Sequence, residues 1–122
     1  MTNTFSALDT PTLLLDVNQM EKNIADIAKF AKEAGVIYRP HTKTHKSIEI
    51  AKRQVKAGAI GVTVAKVGEA EVMAGGGIDD ILIAYPLVAE AKLRRVKKLM
   101  EKAQITVAVD SVEQANIMNQ FF

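Results

Sequence analysis

Two periodicities alternate along the chain. Over residues 18–34, Met20, Ile24, Ile27, Ala28, Ala31 and Ala34 recur at helical spacing with lysines on the opposite side. Asn18 and Glu21 make a capping-box-like start, and Gly35 sits where a left-handed C-terminal cap is wanted. Short runs rich in isoleucine, valine and leucine, bounded by glycine, proline or aspartate, predict strands at residues 12–16, 37–41, 60–64, 81–84 and 105–109. Helices are expected between them. Ser47 caps one that carries Ile48, Ala51 and Val55 and ends at Gly58. A second runs from Val67 to Ala74 and stops at Gly75-Gly76-Gly77, and a third spans about Val88 to Lys102. After Asp110, Ser111 and Gln114 repeat the capping-box pattern ahead of Val112, Ala115, Met118 and Phe122.

Regular strand-helix order implies a parallel sheet with right-handed crossovers, buried on both faces where every strand position is apolar. A barrel and a doubly wound sheet both satisfy this. The fold class read from the pattern is α/β: a parallel (βα)4 half of a TIM-type (β/α)8 barrel, preceded by one short strand and one helix. The chain has 122 residues, about half of the roughly 250 a complete barrel needs. It stops at Phe121 and Phe122 without a cap, so a single partial domain over residues 1–122 is expected, the amino-terminal half of something larger. Half a barrel leaves strand edges open, which predicts a homo-oligomer, a dimer, or completion by further segments.

Composition narrows the function classes. Hydrophobic residues make up 48% and charged residues 25%, a globular balance. No apolar run reaches the length of a membrane span, and Met1 to Ala7 lacks the pattern of a secretory leader. Without cysteine there is neither a disulfide framework nor a thiolate metal site, which fits the cytoplasm. The 16 lysines and arginines stand against 14 acidic residues and are interleaved with them, a solvated surface unlike a nucleic-acid stripe. Neither nucleic acid nor membrane is expected as a partner.

Candidate chemistry is concentrated in Arg39-Pro40-His41-Thr42-Lys43-Thr44-His45-Lys46, which holds both histidines and three cations at one strand-to-helix junction. If the segment is extended, Ile37, Arg39, His41 and Lys43 share a face. A lysine at the carboxyl end of a strand, near other positive groups, can lose its proton and act as a nucleophile. Arg39 on an inner face needs a partner, expected from a carboxylate or cofactor-site group on a strand outside the chain. Lys46, just before the Ser47 cap, is expected to face solvent or an anion. A metal site using His41 and His45 lacks a third ligand at a convincing spacing. Tyr85 directly follows a strand at the end where loops converge, whereas Asp79 and Asp80 precede that strand and read as structural. Asp110 occupies the place after the fourth strand and reads as a helix-flanking acid. The triple glycine lacks the lysine and serine or threonine of a phosphate loop.

The Arg39–Lys46 segment resembles the lysine segment of the D-threonine aldolase and D-serine dehydratase family, pyridoxal phosphate enzymes with an alanine racemase-type barrel. The likeness extends to Thr10-Pro11-Thr12-Leu13-Leu14-Leu15-Asp16, to Gly68-Glu69-Ala70-Glu71 and to Ala84-Tyr85-Pro86. It implies that Lys43 forms the Schiff base with pyridoxal phosphate, and that Arg39, His41, His45 and Tyr85 line the cofactor site. It also implies a small-molecule amino acid substrate, proton abstraction from it, and a divalent metal. The metal's ligands and much of the phosphate grip would lie in a carboxyl-terminal half and β domain absent from these residues, so this stretch alone is expected to be inactive. The reading is a lyase acting on D-3-hydroxy amino acids. An amino acid racemase, a non-catalytic pyridoxal phosphate-binding protein of the same barrel type, and a structural βα segment are the alternatives.

Overall fold

The computed structural model describes residues 5–122. Five helices and three strands follow one another as α1 (Val17–Glu33), α2 (Ile48–Ala57), β1 (Val62–Val64), α3 (Val67–Gly75), β2 (Asp80–Ile83), α4 (Glu90–Leu99), β3 (Gln104–Val107) and α5 (Val112–Phe121). The strands form one parallel sheet in the order β1-β2-β3, with Val62 opposite Ile81 and Ile81 opposite Ile105.

Period-two alternation splits the sheet into two unlike faces. Val62, Val64, Ile81 and Ile83 are fully buried and join Val67, Ala70 and Met73 of α3 with Leu93 and Val96 of α4 in one core. The opposite face carries Thr63, Asp80, Leu82, Gln104 and Thr106, a more polar set of which Gln104 and Thr106 are exposed. Helices thus cover one side only. The expectation of strands buried on both faces holds for β1, buried at all three positions, and fails for β3, whose Gln104 and Thr106 are exposed.

Two expected strands differ in the structure. Residues 12–16 pair with nothing: Leu13 is fully exposed, and the segment ends where the Asp16 carboxylate accepts the Gln19 N–H at 2.9 Å. Asp16, not Asn18, is therefore the N-cap of α1. A strand exists only where a neighbour completes its ladder, and no neighbour lies beside these leucines among the described residues. The expected strand at 37–41 survives as a single parallel bridge, His41 to Thr63. Thr63 N–H donates to Pro40 O and Thr42 N–H to Thr63 O, both at 2.8 Å. Continuing that register would require an N–H from Pro40, which has none, and the ladder breaks there. Residues 38–42 nonetheless run alongside β1.

Helix boundaries shift little. α4 opens at Glu90 instead of Val88 and buries Leu93, Val96 and Leu99 while its lysines stay outside. Gly35 takes φ +66° after α1, as a cap there requires. Ile27, placed on the inner stripe by spacing, is 55% exposed, because α1 packs on α2 along a narrower strip around Ile24, Ala28 and Ala31. No helix among the described residues is long and apolar enough to cross a membrane.

Candidate active site

All strands point the same way, so their carboxyl ends define one rim. The parallel bridge at His41 places Lys43 two residues further on, level with Ala65, where β1 has just ended. Tyr85 lies two residues beyond β2 and Asp110 three beyond β3, at the same rim. Lys43, Tyr85 and Asp110 are exposed there.

The turn that carries Lys43 is held from several directions. Thr42, buried, directs both its N–H (2.8 Å) and its hydroxyl (3.2 Å) to Thr63 O. Its own carbonyl accepts the Lys46 N–H at 2.8 Å. Lys46 closes this turn in the left-handed region at φ +50°. The Lys43 N–H donates to His41 Nδ1 at 3.2 Å, and the Ser47 N–H donates to His45 Nδ1 at 3.0 Å. Ser47 then caps α2 by accepting the Ile50 N–H.

The two lysines of the segment differ in their electrostatics. Lys46 Nζ lies 3.3 Å from Glu69 Oε1, and Glu69 also accepts the Ala65 N–H at 2.8 Å. Burial pushes the Glu69 carboxyl up, but the Ala65 N–H and the Lys46 ammonium outweigh it and hold it below its ordinary value. Lys43, by contrast, has no carboxylate partner among the described residues. Lys46 is thus held by a carboxylate, whereas the Lys43 amine is left available to react.

Arg39 does not wait for a partner from elsewhere. Its Nε and Nη2 reach Asp80 Oδ1 and Oδ2 at 2.6 and 3.1 Å, so the carboxylate expected from outside the chain is supplied at the start of β2. The pair lies toward the amino-terminal end of the sheet, one register step below the His41 bridge. His45 is turned to α2: its Nε2 is buried, and so is Oε1 of Gln54, and neither completes a hydrogen bond. Tyr85 is half-exposed, with Lys92 Nζ 5.2 Å from its ring centroid. Asp79 is exposed at the far end from the rim. No cluster of three or more histidine, aspartate or glutamate side chains positioned for a metal occurs among the described residues.

Sequence reasoning missed one rim residue. Gln114, expected to complete a capping box, is buried. Its Nε2 donates to Leu87 O (3.3 Å) and Ala108 O (3.1 Å), and its Oε1 accepts the Asp110 N–H (3.0 Å). It ties the loop after β2 to the loop after β3. The reciprocal bond to Ser111 N–H that spacing suggests is replaced by one to the preceding residue, a shift of one position that only tertiary packing decides.

The chain resembles known proteins over most of its length. Residues 15–121 match the family described as alanine racemase, N-terminal domain. The chain is 40% identical over 110 residues to the 3-hydroxy-D-aspartate aldolase of Paracoccus denitrificans, covering 88% of this chain and 28% of that protein. It is 39% identical over 113 residues to the D-threonine aldolase of an Arthrobacter species, covering 93% and 30%. The solved D-threonine aldolase of Filomicrobium marinum superposes with a TM-score of 0.89 at 40% identity, over 93% of this chain and 31% of that one. The chain therefore spans a little under a third of the relatives it matches. The three parallel strands and their covering helices are part of an alanine racemase-like α/β barrel, and the chain belongs to the alanine racemase N-terminal domain family.

Proposed function

We propose that this chain is the cofactor-lysine part of a pyridoxal phosphate-dependent lyase acting on D-3-hydroxy amino acids, of the aldolase or dehydratase type. The observation that carries the reading is Lys43: an exposed amine at the carboxyl rim of a parallel sheet, without a carboxylate partner among the described residues, while its neighbour Lys46 is paired with Glu69. The names of the relatives, aldolases and dehydratases of 3-hydroxy amino acids, point the same way.

The residues present suit the cofactor. An unpaired amine can hold an aldehyde, the uncovered sheet face is polar around Thr63 and Thr106, and an aromatic side chain, Tyr85, stands at the same rim. Pyridoxal phosphate, when bound, supplies that aldehyde and an electron-withdrawing ring. Lys43 would hold it covalently. His41 fixes the Lys43 backbone through Nδ1 and keeps Nε2–H as a donor toward bound ligand, and Tyr85 flanks the site. Arg39 and His45, expected in contact with the cofactor, serve from one layer further out. Arg39 is locked to Asp80 below the rim, and His45 is packed against α2.

The finer topology belongs to the same proposal: residues 38–42 stand as the first barrel strand, giving (βα)4, with residues 1–122 as one partial domain and the remaining strands and a β domain supplied elsewhere. A divalent metal is part of the reading, since one structure of a related dehydratase is described as a metal-free form. The described residues hold no set of ligands for it, and no step is assigned to it. A cytoplasmic homodimer is expected of the assembled protein.

Pyridoxal phosphate added to the intact protein should give absorbance at about 420 nm, and borohydride should fix the label on Lys43. D-threonine or D-3-hydroxyaspartate should be consumed, and Lys43→Ala should abolish both label and turnover. Label spread over the surface lysines in proportion to exposure would overturn the assignment. Labelling at Lys43 without cleavage or dehydration of either substrate would replace the lyase with a binding protein or racemase.

A further inference from the structure

Two buried polar atoms stand beside the candidate site without an assigned role. His45 Nε2 and Gln54 Oε1 are each shielded from solvent and without a completed hydrogen bond, and both belong to the elements flanking the Lys43 turn. Leaving either one unpaired is costly, so a buried pair of this kind calls for a role.

The other end of the imidazole settles its protonation. Nδ1 accepts the Ser47 N–H at 3.0 Å, which it can do only while it carries no proton. The ring is then the Nε2–H tautomer, a donor at the end that meets Gln54. Gln54 Oε1 is an acceptor. Each is the complement of the other, and the Gln54 side chain opposes the loss of proton affinity that burial imposes on His45. Burial is the stronger influence and pushes His45 below its ordinary value of 6.5, which keeps the ring neutral.

We propose that His45 is a positioning residue for Lys43: a neutral ring that fastens the turn bearing the lysine to α2, with Nδ1 accepting the Ser47 N–H at the α2 cap and Nε2–H turned to the Gln54 side chain as its complementary acceptor. This rests on the reading that Lys43 binds the cofactor aldehyde. Thr42 anchors one end of the turn to β1 through its N–H and hydroxyl. His45, two residues after Lys43, anchors the other. Between the anchors the lysine backbone has little freedom, while its amine has no carboxylate to hold it among the described residues. Fixing the backbone and freeing the amine is the arrangement a covalent cofactor site needs, because a small misplacement of a reacting group costs orders of magnitude in effective concentration. The pair also explains why a histidine stands here instead of an aliphatic residue, since packing alone would need no ring nitrogens.

The test uses the intact protein and reads where pyridoxal phosphate and borohydride place their label, with thermal unfolding followed in parallel. In the unaltered protein Lys43 should take the label in preference to every other lysine. His45→Phe keeps the ring and its burial but loses both nitrogens, and Gln54→Leu removes only the α2 end. Either should lower the rate of Lys43 labelling by roughly tenfold or more relative to the other lysines. His45→Asn should recover part of the preference, because an asparagine side chain accepts the N–H two residues on, as His45 Nδ1 does. A melting temperature that falls while Lys43 keeps its full preference in the Gln54→Leu and His45→Phe proteins would show a packing residue only and overturn the proposal. If His45→Phe does not fold, Gln54→Leu decides alone. Absence of any Lys43 preference in the unaltered protein is a different result: it removes the cofactor reading itself.

Discussion

Arg39 and Asp80 form a two-pronged ion pair that crosses the chain just before β1, Nε to Oδ1 at 2.6 Å and Nη2 to Oδ2 at 3.1 Å. The chain between them passes Gly61 beneath the pair. A Cβ built there would lie 2.2 Å from Asp80 O and 2.7 Å from Asp80 Oδ1. The glycine is thus required by the close approach of its neighbour, not by its own backbone angles.

Because both side chains are mostly shielded, with 22% and 16% of their surface exposed, removing one partner strands the other. Arg39→Met should destabilise the protein by about 2–3 kcal/mol in urea unfolding, and Asp80→Asn by a similar amount. Arg39→Lys should recover only part, since an ammonium cannot reproduce the fork. Replacing both partners with apolar side chains should cost less than either single change. An Arg39→Met protein within 0.5 kcal/mol of the original would dismiss the pair as a surface contact.

Much of this was readable in the residues, and the failures have physical causes. The cap at Ser47 and the strands expected from Ile81 and Ile105, each of which begins one residue earlier in the structure, follow from local patterns, because each is decided within a few residues of chain. Residues 12–16 look like a strand because Leu13, Leu14 and Leu15 are apolar, but pairing is a property of two segments and one of them is not beside it. Arg39 was expected to look outward for an anion because the aspartate that meets it is 41 positions away. Asp80 itself was placed as structural from its position at the strand start, and its pairing with Arg39 agrees. His45 was expected at the cofactor site from the resemblance alone; that its ring turns to α2, with Nε2 buried, is a matter of side-chain direction that no periodicity signals.

Glu69 joins the turn after residues 38–42 to the start of α3. Its carboxyl is held below the ordinary value of 4.5, so the folded state binds its proton less readily than the unfolded state. The stability it contributes is fully present above pH 4.5 and is lost as pH falls through the lower folded value. Glu69→Gln should remove that part of the acid sensitivity and weaken the protein at neutral pH. Acid titration followed by circular dichroism would decide, and superimposable acid limbs for the two proteins would reject the role.

Gln114 should behave as a structural link between rim loops. Gln114→Ala leaves Leu87 O, Ala108 O and the Asp110 N–H without their partner, at a cost of about 1–3 kcal/mol. Gln114→Glu keeps the acceptor for the Asp110 N–H but offers no donor to the two carbonyls, and it buries a charge. It should be worse than alanine. Hydrogen exchange at the Asp110 amide should quicken in both; unchanged exchange there would mean that the loop is held by other contacts.

The neutral imidazole of His45 gives the fold a second pH window, separate from that of the carboxylates. Burial places its folded value below 6.5, whereas an unfolded chain would protonate near 6.5. Over the interval between the two, the unfolded state carries more protons, so unfolding free energy rises with pH. Stability is then complete above pH 6.5 and declines as pH falls below it, before Glu69 begins to titrate. Protonation also removes the lone pair that accepts the Ser47 N–H, so the amide should exchange faster across the same interval. His45→Asn has no group titrating there, and its stability profile should lose that slope while keeping the acid limb. Urea unfolding at intervals between pH 5 and 8 would measure the difference between the two proteins; identical slopes would mean that the ring is not held neutral by its surroundings.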